Sequence, residues 1–105
     1  MLHVAYLFVP LGFFAVAASI LWPPALPFSA ALHVWTVGAM TLMTLAVMTR
    51  ASRGHTGQAL TAGPATQAIY LAVILAVATR LAAALAPQLT GSLLTISGSL
   101  WILAF

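Results

Sequence analysis

Not one Asp, Glu or Lys occurs in this chain, and its only fixed charges are Arg50, Arg53 and Arg80. A soluble domain carries about 25% charged residues, whereas here charged residues make up 3% and hydrophobic ones 64% of 105. No solvated exterior can be assembled from that supply. The mean hydropathy of +1.17 therefore places the chain in a lipid bilayer.

Each crossing of a bilayer takes about 20 apolar residues, so this length has room for about four helices with short loops. The expected fold class is all-α: a polytopic transmembrane helix bundle spanning about 2–22, 28–50, 65–86 and 90–105. Pro10 sits inside the first span, where membrane helices tolerate a kink if neighbours satisfy the freed carbonyl. Trp22-Pro23-Pro24-Ala25-Leu26-Pro27 reads as a tight apolar turn with Trp22 at headgroup depth. Residues 50–64, with three glycines and Ser52, Thr56 and Gln58, form the only polar loop of any length. Pro87 stops the third span. Counted from Gly91, the last apolar run reaches only about 22 Å against a hydrocarbon core of about 30 Å, and no basic or polar tail follows it. The chain thus reads as part of a larger bundle. Its expected partners are lipid and either the remaining helices of a parent protein or a second copy of itself.

The same inventory removes several function classes. Three scattered arginines do not make the clustered patch that nucleic acid requires. Without a cysteine there is no disulfide framework, thiolate ligand or thiol nucleophile. With no carboxylate, neither acyl transfer by an oriented Ser-His pair nor paired-carboxylate hydrolysis is available. The glycines of GHTGQALTAG fit no phosphate-loop spacing, and the first span lacks the charged start and cleavage pattern of a signal peptide. Any redox chemistry would have to come through a bound metal.

Lys and Arg in short loops near membrane ends are retained on the cytoplasmic side, so Arg50 and Arg53 put the 50–64 loop in the cytoplasm. The turns at 22–28 and 87–90 then face the opposite side.

Against this apolar background a few polar groups stand out. His33 lies within the second span, and an imidazole at membrane depth needs partners that hydrocarbon cannot supply. Steps of three, four and seven residues put His33, Thr36, Val37, Met40, Thr44 and Val47 on one helix face. That column offers an imidazole, hydroxyls and the Met40 thioether. Imidazole suits iron, copper or zinc, and thioether sulfur suits copper(I) or low-spin haem. The plainer reading is that the methionines are packing groups and the threonines bond to the preceding turn. His55 sits in the 50–64 loop between Gly54 and Gly57, free to turn back toward the membrane surface or simply to be solvated. His3 lies at the same membrane level as His55, so those two can share a site that His33 does not join. Arg80 has no acidic partner in the chain, and a buried guanidinium without one is costly unless carbonyls, lipid phosphate or an anion replace it. Ala68, Ala72 and Ala76 recur every four residues toward Arg80, which predicts that it lies on a closely packed face. Counted from their turns, His33 and Arg80 come to the same depth. Arg80 could clamp a carboxylate there, or snorkel to the headgroups.

The stretch from His33 to Gly57, with Thr36, Val37, Gly38, Met40, Thr41, Met43, Thr44, Met48, Arg50, Ala51, Gly54, His55 and Thr56, resembles the signature of the NnrS family. The opening LHVAYLFVPLG and the tail GSLLTISGSLWILAF are similar to the spans that flank it. The resemblance covers nearly all of this chain and about the last third of a family member. It implies a multi-pass protein of the bacterial inner membrane that binds haem and copper and acts in the response to nitric oxide or nitrosative stress that accompanies denitrification. On that footing His33, His55 and His3 become candidate metal ligands, Arg80 and Met40 further cofactor contacts, and the haem propionates the carboxylates for Arg80. Two other functions remain open: a channel or transporter segment with a polar path lined by His33 and the threonines, and a purely structural set of packing helices.

Overall fold

The computed structural model describes Leu2 to Phe105 and is an all-helical bundle. Helix α1 spans Leu2–Leu21. Helix α2 runs unbroken over Phe28–His55, α3 over Pro64–Leu85, and α4 over Thr90–Ala104, entered through a 3₁₀ turn at Pro87–Leu89. Three of the four, α1, α2 and α3, are long and apolar enough to cross a membrane. At 15 residues α4 rises only about 22 Å and does not reach across a core of about 30 Å.

Proline and glycine set the boundaries. Pro64 occupies the first turn of α3, where its missing N–H has no intrahelical partner to lose. The C-terminus of α2 is closed by Gly57, whose φ of 67° lies in the left-handed region. Its N–H bonds to the Gly54 carbonyl at 3.2 Å, and the Gln58 N–H bonds to the Arg53 carbonyl at 2.9 Å. This pair of bonds ends helices at a glycine, and it carries α2 past Arg50. Arg50, Arg53 and His55 are therefore helical, and the polar loop contracts to residues 56–63. His55 is the last residue of a helix and not the tip of a loop.

Within α2, Val34–Met40 is a π-helical segment. Its widened turn is marked by the Thr41 hydroxyl donating to the Thr36 carbonyl, five residues back, at 3.0 Å. An extra residue in the turn rotates everything beyond it relative to a straight α-helix. The column that α-helical spacing predicts from His33 to Val47 is consequently broken. His33 and Val37 face α3 and α4, whereas Met40 points outward at 64% exposure.

The helices form a slab whose Cα atoms extend 50 × 27 × 14 Å. Each helix packs chiefly on its neighbours in sequence, most extensively α4 on α3, and α1 makes its helix contacts with α2. A core cluster joins Ala5 of α1, Leu42, Leu45 and Ala46 of α2, Tyr70 and Val73 of α3, and Ala104 of α4. In lipid, helices gain nothing from hiding apolar surface from one another, so close packing and interhelical hydrogen bonds hold them together. Both are present. Trp35 lies across Gly12 and donates from its indole N–H to the Val9 carbonyl at 2.9 Å, while Phe8 lies across Gly38. At either glycine a methyl group would land inside the opposing ring. Between α3 and α4, the buried Ser97 hydroxyl donates to the Ala76 carbonyl at 2.7 Å, and the Thr90 hydroxyl to the Ala83 carbonyl at 3.0 Å.

The slab hides little of its own apolar surface. Of the most apolar stretch of α1 only 17% is buried, and of those of α2 and α3 28%. Phe13, Phe14, Leu75 and Leu103 all point outward. That is the surface of a membrane protein in contact with lipid or with further helices.

Candidate functional site

Two polar regions lie at opposite ends of α2. Near its start, His33 and Val37 of α2, Arg80 of α3, and Leu94, Ser97, Gly98 and Trp101 of α4 line one cleft of about 270 Å³. The depth arithmetic from the sequence anticipates this meeting. The chain turns at 22–27 and at 86–89, and five residues into one helix and five before the end of another reach the same level. What the spacing leaves undecided is orientation. The π-helical segment begins immediately after His33, and the Ser97–Ala76 bond sets α4 against α3 beside Arg80.

The His33 ring is held by its own helix. Its Nδ1 lies 2.5 Å from the Ser29 carbonyl oxygen. A carbonyl only accepts, so Nδ1 carries a proton, and in the neutral tautomer this leaves Nε2 as the acceptor. A bond of this kind fixes the tautomer and orientation of an imidazole ring. The ring is half-buried.

Arg80 is also half-buried and forms no hydrogen bond to any described residue. It also borders a second cleft with Ser29, Ala30, Ala83 and Thr90. The alanine stripe that predicts a packed face is realised in part: Ala76 is fully buried, Ala72 half-buried and Ala68 exposed. Arg80 therefore borders open space with five donors uncommitted, which is the donor set for a bidentate carboxylate.

Thr36 and Met40 do not line the His33–Arg80 cleft. Thr36 donates to the Leu32 carbonyl at 3.2 Å, the local bond that makes a threonine compatible with a helix. The polar column of the sequence thus reduces here to one imidazole.

His3 and His55 lie at the opposite end, on α1 and at the tip of α2, and both are exposed. His55 borders a shallow cleft with Val47, Arg50, Ala51, Gly54 and Leu60, in which His3 has no part. Among the described residues no three groups of the His, Cys, Asp and Glu types gather closely enough to hold a metal ion.

Sequence reasoning passed over Ser29, Ser97 and Trp101. Ser29 was detectable as the residue one turn before His33, whose carbonyl an inward histidine can reach. Nothing in the sequence marks Ser97 or Trp101, because α4 carries no amphipathic signal to say which side meets α3.

A family model described as NnrS protein matches residues 1–105. No curated protein and no solved structure matches the chain.

Proposed function

The chain belongs to the NnrS family, and from that membership we propose that it takes part in holding haem within the membrane, where His33 would offer an imidazole nitrogen to the iron and Arg80 would pair with a carboxylate of the group, and that it acts in the response to nitric oxide or nitrosative stress. The observation that carries this reading is the shared cleft. One wall offers an imidazole whose Nε2 lone pair is freed by the Nδ1–Ser29 bond, and the other offers a guanidinium without an acidic partner in the chain. Haem supplies an iron able to bind a diatomic ligand or pass an electron, together with two carboxylates. This chain's part would be to present the imidazole of His33, to neutralise carboxylate charge through Arg80, and to give the cleft an apolar lining with Leu94 and Trp101. At about 270 Å³ the cleft is below the usual range of about 300–1,000 Å³ for a ligand pocket. In this reading it is one wall of the haem site, and the opposite wall comes from helices outside the chain or from a second copy.

Copper is implied by the family, but the described residues do not assemble a set for it. His33, His3 and His55 stand apart, and Met40 faces away from all three clefts that they and Arg80 line. In this proposal copper takes ligands from beyond these helices, with His55 or His3 contributing singly at the end that carries Arg50 and Arg53. We place that end in the cytoplasm on the strength of the two arginines, and the protein in a bacterial inner membrane on the strength of its family membership.

The experiment is an optical spectrum of the purified full-length protein. A Soret band that is lost or shifted in His33→Ala supports the assignment. A colourless protein overturns it in favour of a transport path or a packing role. Topology is tested by Ser52→Cys, which an impermeant thiol reagent should leave unlabelled in intact cells; labelling from outside would reverse the orientation.

A further inference from the structure

At the far end of α2 from His33, a cleft of about 260 Å³ opens between α2, the 56–63 loop and α3. Arg50 and Arg53, one helical turn apart and so on one face, line it together with the hydroxyls of Thr49, Thr61, Thr66 and Tyr70. We infer that this cleft binds a phosphate group, carried by the headgroup of an anionic phospholipid or present as free inorganic phosphate.

Three observations support the assignment. The first is the hydroxyls. Thr36, Thr41, Thr56, Thr79, Thr90 and Thr95 all donate to backbone carbonyls. Of the four remaining threonines, three line this cleft, and none of them bonds to a described residue. Tyr70 is 4% exposed and its hydroxyl also lacks a described partner. The residue lines the cleft beside Thr66.

The second observation is charge. Arg53 is positioned by its Nε–H, which donates to the Ala59 carbonyl at 2.8 Å and leaves both terminal nitrogens free. Arg50 bonds to no described residue, and the chain holds no Asp or Glu to neutralise either arginine. Two guanidinium groups and four hydroxyl donors match the acceptor-rich oxygens of a phosphate.

The third is depth. At about 1.5 Å per residue α2 is roughly 42 Å long against a core of roughly 30 Å, so one end must emerge into the headgroup layer. Its last two turns hold Arg50, Arg53 and His55, which fixes which end that is. Leu2, Val47 and Leu60 supply an apolar wall beside the polar one, as a lipid chain below its headgroup would need. Basic pockets between membrane helices at this level take anionic headgroups.

The test uses the chain reconstituted in nanodiscs of phosphatidylcholine, doped with phosphatidylglycerol or supplied with inorganic phosphate, with bound lipid counted by native mass spectrometry and free phosphate followed by ³¹P NMR. Wild-type protein should retain phosphatidylglycerol over phosphatidylcholine. The R50Q/R53Q variant should retain it about thirtyfold less well, each arginine near an anionic surface contributing about fivefold. Tyr70→Phe combined with Thr66→Val keeps every charge and should still weaken retention roughly two- to tenfold. Phosphate broadening in pure phosphatidylcholine discs that disappears in R50Q/R53Q would identify the free anion as the source. Equal retention of both lipids with no phosphate broadening overturns the site. So does a hydroxyl variant that behaves as wild type, because a basic surface without a built cleft feels charge alone.

Discussion

The two sides of α2 are built on opposite terms. Toward α1 the contact is closed: Trp35 lies on Gly12 and Phe8 on Gly38, with no space for one methyl group, and Phe13 meets Trp35 edge-on at a centroid distance of 4.8 Å. Toward α3 and α4 the same helix borders clefts that hold His33, Arg80, Arg50 and Arg53. One face fixes the helix and the other presents its polar groups. The aromatic–glycine seam thus holds α2 in rotation from the side opposite the clefts that His33 and the arginines line.

The comparison predicts that damage on the two sides will be read by different instruments. The largest effect is expected in the cleft. His33→Ala should abolish or shift the ligand-field spectrum of bound haem, whereas Arg80→Gln should weaken haem retention by about 2–5 kcal/mol, the cost of truncating one partner of a buried charge pair, and leave the axial signature intact. If both variants keep wild-type spectrum and affinity, the two residues do not share a ligand and Arg80 is an anchor to the headgroups.

Next comes the seam. Gly12→Ala or Gly38→Ala forces a methyl into an aromatic ring and should destabilise the protein by about 1–3 kcal/mol, the usual cost of overpacking. Unfolding in mixed detergent micelles measures this. The sharper reading is the spectrum: if the seam sets the rotation of α2, haem affinity falls with stability, and if it only glues α1 in place, the remaining folded protein keeps its affinity.

The smallest effect is expected at Ser97, which both lines the cleft and joins α4 to α3. Ser97→Ala removes the bond to the Ala76 carbonyl and should cost about 0.6 kcal/mol, the average for interhelical hydrogen bonds in membranes. A loss several times larger would mean that the cleft side carries more of the fold than its open packing implies.

Much of this site was legible one residue at a time. His33 stands out because imidazole is costly at membrane depth, and Arg80 because nothing acidic exists to meet it; counting from the prolines brings them to one level. The threonine column and a loop position for His55 failed for nameable reasons, and Met40 points away from the His33–Arg80 cleft. The π-helical turn at Val34–Met40 breaks the 3.6-residue count on which the column depends. The paired hydrogen bonds at Gly57 extend α2 by more than a turn beyond the point where its apolar run ends. That glycine, with Arg53 and His55 in the turn before it, was the available signal.

Solvent, secondary structure and depth were determined by the sequence alone, because each is a sum over local properties. The absence of acids rules out a water-exposed surface, the bilayer demands that every backbone group be satisfied within helices, and residue count converts directly into height. Which face of each helix meets which neighbour was decided only by the tertiary structure. Helices that are apolar nearly all round carry no moment to orient them, and lipid gives no preference for hiding one apolar face over another. Rotation is then set by where a ring finds a glycine, where a serine finds a carbonyl, and where one helical turn takes in an extra residue.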